Sequence, residues 1–351
     1  MRLIPQDLKD YVRRFLYYFM TYYPVIIPTL NRYDHFKECI ESLKLNTHSD
    51  KTEIIIGLDY PPTEVYEDGW GKIKKYLSEL TGFGKITVIE HKHNLGAIAN
   101  SDYIRDYALC KYDAFIYSED DNIFSPCFLD YMDKCLEKYK DRKEILAITG
   151  YMNPIDWKTK SNSNVVYVQD YMAWGIGCWK RTWTELNSNM PEHYMSYVCS
   201  HRTQLKKLRN NLRELHQLVF WTKSNPTLDR KCDFTINCYC LINDKYIIAP
   251  KMSLVRNMGN DGSGINCIKL ENDYLARQEI SSSNSFDIID TQTSRELYKI
   301  RKEWSDFKNQ NFTIKQTLLT IFYYYLCLLG GIKTADSVLN TIKKFKRLIK
   351  G

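Results

Sequence analysis

Through the first 150 residues, short continuous apolar runs alternate with stretches whose apolar positions recur every three to four residues. Residues 23–27, 52–58, 85–90 and 114–117 are short apolar runs, the first closing at Pro28 and the second at Asp59 before Pro61, which predicts buried strands. Residues 34–45, with Phe36, Ile40 and Leu43 on one face, predict a helix with Asp34 as its N-cap. Residues 68–80 and 98–109 predict two more. Strand alternating with helix implies parallel βαβ units, hence an α/β doubly wound sheet, Rossmann-like and flanked by helices. Ser125-Pro126 then reads as an N-cap with proline in the first turn, ahead of a helix over 128–139 and a strand over 145–151.

Beyond residue 151 the periodicity loosens. A strand is expected over 165–168, a polar helix over 205–220, a buried helix over 233–241 and a strand over 246–249. The segment from Tyr171 through Trp174 to Trp179 sets glycines between tryptophans, which suits a pocket wall that backbone approaches closely. Trp179 and Trp183 fit the core better than Trp174 does. Asn257 to Gly264 is rich in residues that accept positive φ, as phosphate-covering loops and ordinary turns both are. Ser281 to Ser285 has a linker's composition, and no internal repeat is evident. The expected division is a helical segment over 1–20, a catalytic domain over 21–270 and a C-terminal extension over 271–351.

With 351 residues and 44% hydrophobic content the chain can bury a sizeable core. A net charge of +7, unmassed in the first two thirds, gives no nucleic-acid stripe. Eleven cysteines without metal-ligand spacing read as reduced thiols, and no secretory signal pattern opens the chain, so a cytoplasmic location is expected. The C-terminal part differs. An apolar, tyrosine-rich stretch over 318–332 falls short of the roughly 20 residues a spanning helix needs. Residues 338–350 form an amphipathic pattern with a Lys/Arg polar face, suited to the anionic inner face of the cell membrane or to a partner helix.

The candidate chemistry sits at the end of the fourth strand, where Glu119, Asp120 and Asp121 follow one another. Ligands of open α/β sheets bind at that end. Adjacent carboxylates repel, and a hard divalent cation, Mg²⁺ or Mn²⁺, with its preference for oxygen ligands and substrate phosphates, would compensate them. A polar turn is the plain alternative. Asn94, Gly96 and Asn100 belong to a loop expected to face the same crevice, with Asn94 touching the ligand bound there. His91 and His93 read as surface residues.

In order and spacing, Pro28-Thr29-Leu30-Asn31-Arg32 after the first strand, Asp59 closing the second and Glu119-Asp120-Asp121 closing the fourth resemble the GT-A glycosyltransferases that use nucleotide-sugar donors. The triplet is most similar to that of the inverting β-1,2-N-acetylglucosaminyltransferase of N-glycan synthesis. The stretch from Asp233 to Gly259 resembles bacterial sugar transferases of capsule and lipopolysaccharide pathways. The resemblance implies that Arg32 and Asp59 bind the nucleotide, with Pro28, Thr29 and Asn31 beside them, and that Asp121 holds the metal. Glu119 and Asp120 would approach the sugar or ribose, Asn260 and Ser263 would lie in the nucleotide loop, and Asp233 would be the catalytic base. Cys232 stands where relatives carry tryptophan, and Asn266-Cys267 where many place a histidine.

The expected reaction is metal-dependent inverting transfer, with a UDP-sugar the expected donor and a hydroxyl of a glycan or lipid-linked glycan the acceptor. The competing role for Asp233 is a helix N-cap, and for Asp59 a turn former before Pro61. The rival activities are a sugar nucleotidyltransferase, whose glycine-rich triphosphate loop Pro28 to Arg32 lacks, and a non-catalytic membrane scaffold.

Overall fold

The computed structural model describes residues 21–220, 231–264, 269, 271 and 273–350. The expected helix over 1–20 and the Asn266-Cys267 pair lie outside the described residues. Strands β1 (Val25–Thr29), β2 (Glu53–Leu58), β3 (Lys85–Glu90) and β4 (Ala114–Tyr117) alternate with helices α1 (Tyr33–Lys44), α2 (Glu67–Glu79) and α3 (Ala97–Leu109). Next come β5 (Asn122–Phe124), α4 (Phe128–Tyr139), β6 (Ile145–Thr149), β7 (Val165–Val168) and β8 (Ile176–Trp179). Helices α5 (Lys180–Asn189), α6 (Tyr194–Ser200), α7 (Arg202–Lys207), α8 (Leu212–Phe220) and α9 (Asp233–Asn243) precede β9 (Tyr246–Pro250) and β10 (Val255–Asn257). Helices α10 (Ser294–Asn309) and α11 (Ile314–Lys350) complete the described chain, the last broken at Gly331.

Eight strands form one sheet in the order β3-β2-β1-β4-β8-β6-β9-β7. Six run in one direction; β8 is antiparallel to β4 and β6, and β7 is antiparallel to β9. The sheet is therefore mostly parallel but mixed, because the aromatic segment supplies a strand that the looser pattern concealed. The continuous apolar runs follow from burial on both faces. Ile26 and Ile55 join Ile104 and Ala108 of α3 in one core cluster, while Val25, Ile27, Ile54 and Ile56 join Phe36, Ile40 and Leu43 of α1 in the other.

Two capping expectations fail. Arg32, not Asp34, holds the N-cap position of α1, and Cys127 holds that of α4. Ser125 is drawn away because β5 pairs with β10 and its N–H donates to the Leu254 carbonyl at 2.8 Å. The polar helix expected over 205–220 is two short helices, α7 and α8.

The Ser281 to Ser285 stretch lies against the body of the fold. Ser125 Oγ donates to the Ser281 carbonyl, Thr47 Oγ1 to that of Asn284 at 2.7 Å, and the Phe286 N–H to Asp130 Oδ2 at 2.8 Å. Helix α10 packs on the edge strand β7, which shields one open edge of the sheet, and α11 packs on α6 and α8. Among the described residues no single helix is long and apolar enough to cross a membrane. The first part of α11 buries Tyr323, Tyr324 and Cys327 and exposes Ile314, Leu318, Ile321, Phe322, Tyr325 and Leu329.

Candidate active site

A crevice opens where β1 and β4 part. Their ladder ends at Ile26 paired with Tyr117, whereas β1 continues beside β2 through Pro28 and Thr29. Pro28 has no N–H to offer β4, so its place beyond that ladder costs no hydrogen bond. Thr29 Oγ1 donates to Asp120 Oδ2 at 2.9 Å. Arg32, at the start of α1, reaches back with Nη2 to Asp120 and, at 2.8 Å, to Asp121 Oδ2. Both carboxylates are buried, so the cation their mutual repulsion demands is supplied in part by the protein itself. Burial pushes the Asp120 carboxyl up while Arg32 opposes that push. Asn31 faces the other way: its carbonyl accepts the Tyr33 N–H and abuts Gly69 of α2, where a Cβ would stand 2.0 Å from it.

Asp121 is gripped from both sides. Its Oδ1 accepts Asn257 Nδ2 at 2.6 Å, and its carbonyl accepts the Met258 N–H at 2.8 Å. This contact exists because β5, directly after the triplet, pairs antiparallel with β10 and sets Asn257 against Asn122. Neither short strand was legible in the sequence; the loop opening at Asn257 was expected near phosphates, but not the Asn257 side chain's bond to Asp121. Gly259 follows, where a Cβ would lie 2.2 Å from Asp121 Oδ2. Asn260 Nδ2 is buried with no partner among the described residues, while the Ser263 N–H and Oγ both donate to Asp261 Oδ1, whose Oδ2 meets His35.

Asp59 serves the neighbouring loop. Its carboxylate accepts the N–H groups of Tyr60, Leu95 and Gly96, each at 2.9 Å, and Asn94 Nδ2 at 3.2 Å. Both the turn role and a site role are therefore visible, since Asp59 fixes the loop that carries Asn94 and Gly96. Gly96 has φ of +82°, which glycine adopts without steric cost, and open space where a Cβ would be. Asn100, by contrast, does not line the crevice: it is buried, donates to the Gly57 carbonyl at 2.8 Å and meets His91 at 3.1 Å. His91 is accordingly partly enclosed, not a bare surface residue.

The third wall is the 170–174 loop. Trp174 Nε1 donates to Glu119 Oε2 at 3.1 Å, while Trp179 donates into the core, to the Leu136 carbonyl. Burial, then Asp121, Asp233 and Asp120, raises Glu119 to about 8. Asp233 is the first residue of α9, not its cap. Cys232 occupies the cap with Thr235 in a reciprocal box, which leaves the Asp233 carboxylate free to accept the Ala173 N–H at 3.3 Å. The residue keeps an exposed edge, while Phe234 to Cys240 behind it are buried. Desolvation by the crevice walls nevertheless pushes the Asp233 carboxyl up to about 6, with Asp170 adding to the rise and the Ala173 N–H and Arg213 opposing it.

Among the described residues no three acidic, His or Cys side chains converge as a metal cage. The donor set fits a hard divalent cation shared with a ligand's phosphates, because such ions commonly take one or two carboxylates and complete their shell with phosphate and water. Asp121 is the carboxylate expected from the sequence to hold it; its Oδ1 accepts Asn257 and its Oδ2 meets Arg32.

Residues 25–208, just over half of the chain, match the model of glycosyl transferase family 2, and the chain belongs to that family. The mostly parallel sheet flanked by helices, with a C-terminal helical region, is the GT-A arrangement expected from the sequence. Residues 1–349 of TarS from S. aureus align over 88% of this chain and 81% of theirs, at 10% identity and a TM-score of 0.40. The mannosyltransferase PcManGT from Pyrobaculum calidifontis, in complex with GDP-Man and Mn²⁺, aligns over 54% of this chain and 58% of its own, at 14% identity and a TM-score of 0.35. The apo form of GlyE from Streptococcus pneumoniae TIGR4 gives 65%, 45%, 11% and 0.29 respectively. Against a longer TarS structure this chain spans 37% of that protein's length. With TM-scores below 0.5, these likenesses add nothing to the family assignment. No curated protein matches the chain.

Proposed function

We propose that this protein transfers a sugar from a nucleoside diphosphate sugar to an acceptor hydroxyl with inversion at the anomeric carbon. The observation that carries the reading is the Arg32 guanidinium bridging Asp120 and Asp121 where β1 and β4 part, with Asp233 opening into the same crevice. A leaving diphosphate needs positive charge at its oxygens. Arg32 supplies some, and Asp121 with the diphosphate would hold Mg²⁺ or Mn²⁺, which would supply the remaining positive charge. Trp174 and the loop fixed by Asp59 wall the donor. Asp233 takes the acceptor proton as its oxygen attacks from the opposite face.

The acceptor we infer is a glycan or lipid-linked glycan at the cytoplasmic face of the cell membrane, as surface-polysaccharide synthesis would require. Support comes from the exposed apolar stripe of α11 followed by the Lys/Arg-rich end of the chain. UDP-linked sugars are the first donors to test, beside GDP-mannose.

The experiment is incubation with UDP-N-acetylglucosamine, UDP-glucose, UDP-galactose and GDP-mannose plus Mn²⁺, following nucleoside diphosphate release. Release abolished in Asp121→Ala, and lowered at least ~10²-fold in Asp233→Asn with donor binding retained, is expected. No release from any donor, or pyrophosphate exchange in its place, refutes the reading.

A further inference from the structure

The Asp233 carboxylate accepts the backbone N–H of Ala173, and the loop carrying this N–H has a second fastening to the same helix. Asn237, one turn beyond Asp233 on α9, accepts the Tyr171 N–H at Oδ1 and donates from Nδ2 to Asp170 Oδ1 at 2.7 Å. Helix α9 thus holds the short 170–173 loop at both ends, and the next residue, Trp174, is the one that reaches Glu119. Behind the loop lies a charged layer. Asp170, 1% exposed, receives Arg213 of α8 at 3.1 Å and lies 3.7 Å from Lys308 of α10, which itself meets Glu214 at 2.6 Å. Two acids and two bases are balanced there, Asp170 and Glu214 buried and Arg213 partly open to solvent. Apolar side chains of like volume would commonly be as stable or more so. A fully satisfied polar network, however, specifies one geometry.

We propose that Asn237 is a positioning residue, backed by Asp170 and Arg213, which sets the 170–174 loop so that Ala173 orients Asp233 and Trp174 meets Glu119. This deepens the reading of Asp233 as general base and rests on it. It also makes α10, through Lys308, part of the structure that supports catalysis. The groups that bear on Asp233 are Asp170 and Tyr171 from the loop, Arg213 from α8, Tyr117 and Glu119 from β4 and its end, and Cys232 from its own helix start. Asp170 raises the Asp233 pKa and Arg213 lowers it.

Opposite signs give a test that plain destabilisation cannot imitate. Nucleoside diphosphate release from the donor turned over in the panel is measured from pH 5 to 9, with thermal unfolding of every variant. Asn237→Ala is expected to lower kcat at least ~10-fold with donor KM within about twofold. Arg213→Gln should move the acid limb of kcat up by about 0.5 pH unit or more, Asp170→Asn should move it down, and Arg213→Lys should leave it in place. The ¹³C carboxyl titration of Asp233 reads the same shifts without turnover, so a variant of low activity still reports. Asn237→Ala with wild-type kcat overturns the proposal, as does an acid limb and carboxyl titration indifferent to both charge changes. In that event Asp233→Asn distinguishes the two levels: if it remains inactive, the base stands and only the positioning role falls.

Discussion

Replacing Gly259 with alanine puts a methyl group where Asp121 now stands. The added Cβ would lie 2.2 Å from Asp121 Oδ2 and 2.9 Å from its Cγ. Gly259 does not have positive φ, so alanine brings no backbone strain, and the cost falls on the carboxylate. Moving from 2.2 Å to the 3.0 Å floor of real contacts requires a withdrawal of ~0.8 Å, since repulsion rises steeply inside van der Waals contact. A shift of that size stretches the 2.6 Å bond from Asn257 or the 2.8 Å pair with Arg32 beyond good hydrogen-bond length. Hydrogen bonds to charged groups are worth about 1.5–3 kcal/mol, so losing one or two costs roughly 3 kcal/mol, or about 10²-fold in turnover. The assay is donor turnover with Mn²⁺ beside thermal unfolding. In an Asp121→Ala background the same Gly259→Ala change should cost almost nothing, for the clash has gone. Turnover within threefold of wild type in the single variant, or an equal loss of folding stability in both backgrounds, would refute the reasoning.

Other outcomes follow from the same geometry. With Asp233 near 6, above the unperturbed value of about 3.9, the active ionised form is lost as pH falls; kcat should rise through an apparent pKa close to 6, reach a plateau above it, and lack that limb in Asp233→Asn. Arg32→Gln leaves two buried carboxylates without their counter-charge, so thermal stability should fall by about 3–5 kcal/mol at pH 7 and recover in part with millimolar Mn²⁺; an unchanged melting temperature refutes this. Deleting residues 334–351 should abolish sedimentation with phosphatidylserine vesicles, and Phe322→Asp with Leu318→Asp should weaken it several-fold, while hydrolysis of a soluble donor continues. Undiminished vesicle binding in both forms would remove the membrane proposal.

The eight strong elements from β1 through α4 were legible from local pattern alone, because a strand buried on both faces must be apolar throughout and an amphipathic helix must repeat at its own pitch. The acidic triplet was equally plain: three carboxylates after a buried run have few places to lie except a strand end. Other features depend on pairings between residues far apart in sequence, which leave no periodic mark. Strand β5 is three residues long and exists only because β10, more than 130 positions later, pairs with it and carries Asn257 to Asp121. The insertion of β8 between β4 and β6 turned an aromatic loop into a core strand and hung Trp174 over Glu119. Composition announced that the acids needed a cation; that Arg32 is one such cation, and that the Asp233 carboxylate is held by Ala173 while Cys232 caps its helix, was decided by tertiary packing, since only the folded chain sets which donor lies within hydrogen-bond reach of which oxygen.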